Sequence, residues 1–409
     1  MKTLRDFNFE GKRVLVRCDF NVPLSQEGEI LDDFRIRQTI PTIEYLIKNG
    51  AKVILMSHLG DPQENQKSKF SLKPVALRLE KLLKKRVYPV KSSLREVFVK
   101  GEQFNRVKFL PDCVGPEVDK EMGKMKEKEV VLLENLRFHK EEKENDEKFA
   151  QRIAALGEIF INDAFSVSHR NQASIVGLPK YLPSGAGILL EKEIKVLSQV
   201  LEKPLHPLVA IIGGVKIETK IKVIEKFLQI ADHLLLGSKI AETILMAKEI
   251  LVGRKFPEEE ILERIKKIDL TNPKLHLPTD GMMALASLDE KYSRIGAIGT
   301  LRKEEEIFDI GSETIRIFFE IIKTAKMIIW NGPLGYFEKS PFDTGTKKIA
   351  EAICRNYSAF KIAGGGETDS FLHQSGLRER FDHVSTGGGA MLEFLAGEKL
   401  PGIESLNQA

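Results

Sequence analysis

Seven basic side chains stand where one chain could use them together. Arg17, His58, Arg137, His139, His169 and Arg170 each follow a short apolar run in the first half of the sequence. They lie in RCDFN, SHLG at 57–60, ENLRFH at 134–139 and NDAFSVSHR at 162–170, and Arg35 opens the helical pattern after two aspartates. Arginine bonds carboxylate and phosphate bidentately, so the set suits a small polyanion. Any one of them, taken alone, is better explained by an ion pair with an internal acid, of which the chain has 59. Joint placement at four strand ends favours the anion.

The second half puts glycines at the corresponding places: IIGGVKIETK at 211–220, GGGET at 364–368 and STGGGAMLE at 385–393. Each follows a strand-like run and opens a helix-like one, an arrangement that binds phosphate through backbone N–H groups. A plain turn explains any single one of them; three point to a nucleotide. The spacing predicts that Lys216 and Lys220 share a helix face and reach a ligand, with Ile217, Ile221, Ile224 and Leu228 as the buried stripe. No GxxxxGK[ST] loop, no opening GxGxxG and no HRD and DFG set occurs. A small anion in one half and a nucleotide in the other imply transfer between them.

These residues need elements to position them. Runs such as RVLVRCDF, AKVILMSH and EIFINDAF alternate with segments of helical period, so the fold class is α/β with at least two parallel sheets. GILLEKEIKVLSQVLEKPLHP carries Leu190, Ile194, Leu197 and Leu201 at helical spacing and reads as a connecting helix; one larger continuous sheet is the alternative. Pro41 interrupts a helical pattern, which should start late or kink. With 409 residues and 42% apolar content there is material for two cores, and a net charge of +4 demands neither nucleic acid nor a membrane surface as partner. Cys18, Cys113 and Cys354 are too scattered for a disulfide framework, and MKTLRDFNFEGKR is too charged for a signal peptide. Cytoplasm and a monomer are the expectation.

RCDFNVP at 17–23, SHLG, ENLRFH, NDAF with HR after it, GGVKIETKI, IIWNGPLGYFE at 328–338, the glycine triplet at 364 and HVSTGGGAMLEFLAGEKLPG at 383–402 resemble phosphoglycerate kinase in order and spacing. The resemblance spans nearly the whole chain. It implies two Rossmann-like doubly wound domains joined by an interdomain helix and hinge: 1–187 binding phosphoglycerate, 188–203 the helix, 204–390 binding nucleotide, and a tail, 391–409, returning to the first domain. The implied reaction is reversible transfer of the acyl phosphate of 1,3-bisphosphoglycerate to Mg-ADP, giving 3-phosphoglycerate and ATP, with hinge closure bringing the substrates together. Asp19, Phe20, Asn21, Arg35, His58, Leu59, Gly60, Arg137 and Arg170 would hold the phosphoglycerate. Lys216, Lys220, Asn331, Glu338, Gly364, Gly365, Gly366, Glu367 and Thr368 would hold the nucleotide, with Glu338 on the ribose, Glu367 on Mg²⁺, and Gly387, Gly388 and Gly389 at a helix N-terminus near the phosphates. Arg35 and Lys216 would serve the transferring phosphoryl group.

Four positions depart from the family pattern. Asp61 stands where an arginine is usual, Ser166 where glycine is usual, and LLLGSKIAETI at 234–244 has a single glycine in place of a richer run. Glu367 replaces aspartate, and its extra methylene alters the reach to a geometrically demanding Mg²⁺. Asp61 and Glu367 motivate a rival reading, a degenerate relative that binds nucleotide without phosphotransfer. A third, an NAD-dependent dehydrogenase, fits the αβ alternation but lacks the fingerprint.

Overall fold

Runs such as RVLVR and KVILM are aliphatic without alternation, as strands covered on both faces require. In the computed structural model, which describes residues 1–87, 107–251, 259–266, 268–269, 271–287 and 292–408, these runs are the centres of parallel sheets. The chain divides into two compact units, residues 1–195 with 399–409, and residues 196–398.

In the first unit, β1 (Arg13–Arg17), β2 (Lys52–Met56), β3 (Val107–Phe109), β4 (Val130–Leu132), β5 (Ile159–Asn162) and β6 (Ser184–Ala186) form one sheet in the order β3-β4-β2-β1-β5-β6. Every pairing is parallel, with Arg17 level with Met56 on one side and Asn162 on the other. The residues that follow β1, β2, β4 and β5 therefore emerge along one edge, where open parallel sheets bind ligands. The helix Phe34–Lys48 runs through Pro41 without starting late, because Ile36, Ile40, Ile43 and Leu46 bury its inner face against the sheet core. Tertiary packing outweighs the one lost hydrogen bond.

The helix Ile188–Glu202 forms as expected, but its buried stripe is Leu190, Glu193, Leu197 and Val200, while Ile194 and Leu201 are half-exposed. Oδ1 of buried Asp163 accepts the Leu189 and Leu190 N–H groups at 2.9 and 3.3 Å and so caps this helix. Burial pushes the Asp163 carboxyl up to about 7. Helix Pro401–Asn407 belongs to the first unit, where the Gly402 N–H donates to the Ser168 carbonyl at 2.8 Å and Leu406 is buried. Residues 391–398 belong to the second unit.

In the second unit, β7 (Leu208–Ile212), β8 (His233–Leu236), β9 (Leu275–His276), β13 (Met327–Asn331), β14 (Phe360–Gly364) and β15 (His383–Val384) make a second parallel sheet in the order β15-β14-β13-β7-β8-β9. A three-stranded antiparallel sheet of β10 (Asp280–Leu285), β11 (Arg294–Ala297) and β12 (Glu305–Ile310) was not anticipated. Gly281, Gly296 and a register shift at Met282/Met283 interrupt its strands, and burial along β10 and β12 does not alternate, so neither period stands out. Trp330, the one tryptophan, is fully buried and donates from Nε1 to the Gly332 carbonyl at 2.9 Å. Among the described residues no helix is long and apolar enough to cross a membrane.

Candidate functional site

The ends of β1 and β2 assemble the first cluster. Asp19 is buried; its Oδ2 accepts from Arg35 Nη1 at 2.7 Å and from the Ser166 hydroxyl, and its Oδ1 accepts from the Asn21 N–H at 3.0 Å. Burial would raise this carboxyl, but Arg35, His58, Ser166 and Asn21 outweigh burial and hold it at about 2. Arg35 also donates to the Asn21 carbonyl at 3.2 Å. The Asn21 side chain accepts from the Gly60 N–H at 2.8 Å, which ties the loop after β1 to the loop after β2. Buried Phe20 and Leu59 are held by their backbones, Phe20 N–H on the Ser57 hydroxyl at 2.8 Å and Leu59 N–H on Asn135 Oδ1 at 3.2 Å.

His58 is buried 3.9 Å from Asp19, and Arg17 Nη2 lies 3.4 Å from its Nδ1. Burial, reinforced by Arg17, Arg137 and Arg170, holds the imidazole well below its ordinary range despite Asp19. It is neutral at pH 7 and serves as a hydrogen-bonding group. Arg17 itself is fully buried and bonded to Ser174 and the Cys18 carbonyl, so it is structural. Arg137 donates from Nη1 to the Gly60 carbonyl at 2.5 Å, while its Nε and Nη2 are buried without a partner among the described residues. Those two nitrogens are one bidentate edge of the guanidinium, the edge that grips a carboxylate or phosphate. Arg170 is exposed, close enough to Arg137 and His58 to depress both. His139 is elsewhere, paired through Nε2 with Asp112 at 2.7 Å.

Two departures acquire reasons here. Asp61 is exposed and pairs with Lys143, which lowers its carboxyl. Its charge is answered without Lys67, whose ammonium sits over the Phe138 ring. Ser166 uses its hydroxyl on Asp19, a contact glycine cannot make.

The second cluster lies at the ends of β7, β13 and β14. Gly214, Gly332 and Gly365 have φ of +98°, +93° and +98°, which glycine alone adopts freely. A Cβ on Gly213 would lie 2.0 Å from the Pro333 carbonyl oxygen, so these two loops touch backbone to backbone. Asn331 donates from Nδ2 to the Gly364 carbonyl at 3.0 Å, and the Gly332 N–H donates to the hydroxyl of buried Thr368 at 2.7 Å. Gly366 opens the helix Gly366–Gln374 with nothing within 4 Å of its Cβ position. The start of the helix Gly388–Leu395 comes against it, a Cβ on Gly388 lying 3.8 Å from the Gly366 nitrogen, so Gly387, Gly388 and Gly389 bring a second helix N-terminus to the triplet.

Lys216 and Lys220 do not share a helix face. The helix begins at Ile221, and residues 217–220 form a tighter turn that leaves Lys216 exposed and Lys220 buried. The buried stripe is Ile217, Ile221, Ile224 and Phe227, with Leu228 half-exposed. Lys220 donates to the Gly213 carbonyl, and burial, opposed by Glu367, lowers its ammonium to about 8. Glu367 is exposed at the helix start, its Oε2 3.4 Å from the Cβ position of Gly214. Glu338 is exposed on the loop after β13. Ser238 has φ of +58°, so the missing glycine of that run leaves a serine in a left-handed conformation.

A cavity of about 310 Å³ lies beside this cluster, lined by Val215, Ile217, Thr243, Met246, Leu251 and Leu301 among others. Its walls come from separated segments, of which only LLLGSKIAETI at 234–244, contributing Lys239, Glu242 and Thr243, stood out in the sequence. Its apolar residues share the lining with Glu218 and with Lys239, which is ion-paired to Glu242 and Glu306.

The pattern of the family described as Phosphoglycerate kinase matches residues 4–398. The chain belongs to this family. It is 43% identical to a phosphoglycerate kinase of Dictyoglomus turgidum over 407 residues, covering 98% of this chain and 97% of that one. It is 43% identical to another of Aquifex aeolicus over 414 positions, covering 99% and 98%. Its structure is similar to that of phosphoglycerate kinase from Coxiella burnetii, with a TM-score of 0.81 at 36% identity over 100% of this chain and 99% of that one. The enzyme from Pyrococcus horikoshii aligns with a TM-score of 0.82 at 32% identity, over 100% and 98%. Family membership removes the dehydrogenase reading.

Proposed function

We propose that this chain is an active phosphoglycerate kinase, transferring the acyl phosphate of 1,3-bisphosphoglycerate reversibly to ADP to give 3-phosphoglycerate and ATP. The observation that carries the reading is the unpartnered edge of Arg137, whose Nη1 bonds the Gly60 loop that Asn21 ties to Arg35. Arg35, Arg137 and Arg170 neutralise the phosphoglycerate, and Asp19 keeps Arg35 in place. Asn21 and neutral His58 supply hydrogen bonds, while the backbones of Phe20, Leu59 and Gly60 shape the loops. In the other cluster Lys216 and Lys220 meet the phosphates, the N–H groups from Gly364 to Thr368 and from Gly387 to Gly389 cradle them, and Asn331 and Glu338 hold the nucleoside.

Both attacking groups are oxygens already ionised at pH 7, so no general base is needed. Phosphoryl transfer depends on positioning and on neutralising the equatorial oxygens, the work given to Arg35 and Lys216. Exposed Glu367, one carboxylate beside a phosphate cradle, fits the usual way Mg²⁺ is held, by one or two carboxylates plus substrate phosphates. Bound there, Mg²⁺ supplies positive charge to the nucleotide phosphates. Hinge closure, a monomeric state and a cytoplasmic site belong to the same reading; compaction in X-ray scattering with both substrates bound and the mass from sedimentation check the first two.

The binding-only alternative loses half its motive, because Asp61 is answered by Lys143. A coupled assay of 1,3-bisphosphoglycerate formation from 3-phosphoglycerate and Mg-ATP decides between them. Turnover is expected; nucleotide binding without turnover establishes the alternative.

A further inference from the structure

A third group of polar side chains converges in the first unit. Asp112 and Cys113 follow β3, and His139 ends the short turn Leu136–Phe138 after β4. One oxygen of Asp112, Sγ of Cys113 and a ring nitrogen of His139 all lie within 4.8 Å of one another. His139 Nε2 is 2.7 Å from Asp112 Oδ1, and the buried thiol donates to the Glu134 carbonyl at 2.9 Å. The His139 ring packs on Phe149 with centroids 5.1 Å apart, which limits its orientation. A hydrogen bond beside a buried thiol accounts for the pairwise contacts. It does not account for a thiol, an imidazole and a carboxylate, drawn from two loops, meeting at one point.

We propose that Asp112, Cys113 and His139 form a binding site for a thiophilic divalent cation of the zinc class. Zinc takes sulfur at about 2.3 Å and nitrogen or oxygen at about 2.0–2.2 Å, so ligands of one ion stand roughly 3–4 Å apart. The three ligand atoms, all within 4.8 Å of one another and two of them 2.7 Å apart, bracket that spacing. Binding releases the Cys113 proton to solvent, and the ion bonds the thiolate, the neutral imidazole and the Asp112 carboxylate. Two negative ligands then balance a charge of two, which suits a half-buried site. The side chain of Asp112 is 51% exposed, leaving a fourth position for water. Magnesium, which prefers oxygen ligands alone, is excluded. The ion would brace the turn that carries Arg137, two residues before His139.

The test uses the full-length, untagged, reduced chain without nucleotide, titrated with Co²⁺ as a spectroscopic stand-in and then with Zn²⁺. Expected are one equivalent of Co²⁺ per chain, a sulfur-to-cobalt charge-transfer band in the near ultraviolet, and displacement by Zn²⁺. The band should vanish in Cys113→Ser, weaken at least tenfold in affinity in His139→Gln, and survive in Cys354→Ser. Absence of the band from the unaltered chain overturns the proposal, as does its persistence in Cys113→Ser. Circular dichroism checks that the variants fold. If Cys113→Ser does not fold, the unaltered chain and His139→Gln decide alone, an unchanged His139→Gln titration counting against the site.

Discussion

Replacing Lys220 with methionine should make the second unit more stable while damaging the enzyme. Lys220 is buried and its ammonium is lowered from 10.5 to about 8. That lowering corresponds to about 3 kcal/mol spent at neutral pH to keep the charge inside. Methionine has similar length and no charge. It forfeits the hydrogen bond to the Gly213 carbonyl, worth about 1 kcal/mol, so the net gain should be about 2 kcal/mol. The sign follows from linkage. The folded value lies below the unfolded one, so the cost is complete below pH 8 and disappears as pH rises from about 8 toward 10.5. Denaturant titration followed by the fluorescence of Trp330, the one tryptophan and a residue of the second unit, reads the effect directly. At pH 7 the variant should unfold at higher denaturant, and at pH 9.5 the difference should shrink. A variant less stable at pH 7, or a gain that does not change with pH, would refute the reasoning.

Other outcomes follow from the same contacts. Arg35→Ala should lower kcat by about 10²- to 10³-fold in the coupled assay, since it removes a charged donor from the transferring group, and near-normal kcat would take Arg35 out of the mechanism. Arg137→Met should raise KM for 3-phosphoglycerate roughly tenfold or more by removing a bidentate charge-assisted contact; unchanged KM with normal turnover would place the anion elsewhere. Nucleotide affinity, measured by calorimetry, should fall as pH rises past about 8, because phosphate favours the protonated form of Lys220. Glu367→Asp should shift the balance between Mg²⁺ and Mn²⁺ activation, and identical metal profiles would mean the extra methylene is silent.

Strand ends were legible because a buried parallel strand is a solid aliphatic run that stops abruptly, and ligand-facing residues come next. That placed His58, Arg137 and the glycine turns, whereas Asp19 came from the family resemblance alone. Contacts across long sequence separations were not legible. Asp61 reads as a charge opposed to an anion until Lys143, on a distant helix, pairs with it. Ser166 reads as a deviation until its hydroxyl is seen on Asp19. The pair Lys216 and Lys220 shows the other failure. A four-residue interval means one face only inside a helix, and here the helix starts one residue later, so one lysine is outside and the other is buried.

The helix Pro401–Asn407 completes a unit whose other residues end at Lys195. A ribosome therefore makes all of the second unit before the piece that finishes the first. During that interval residues 1–195 exist without the backbone bond from Gly402 to Ser168 and without the side chain of Leu406, leaving apolar surface uncovered. The second unit, contiguous in the chain, carries no such debt and can close as soon as residue 398 emerges. Vectorial synthesis thus gives the later-made half the chance to reach its final form first.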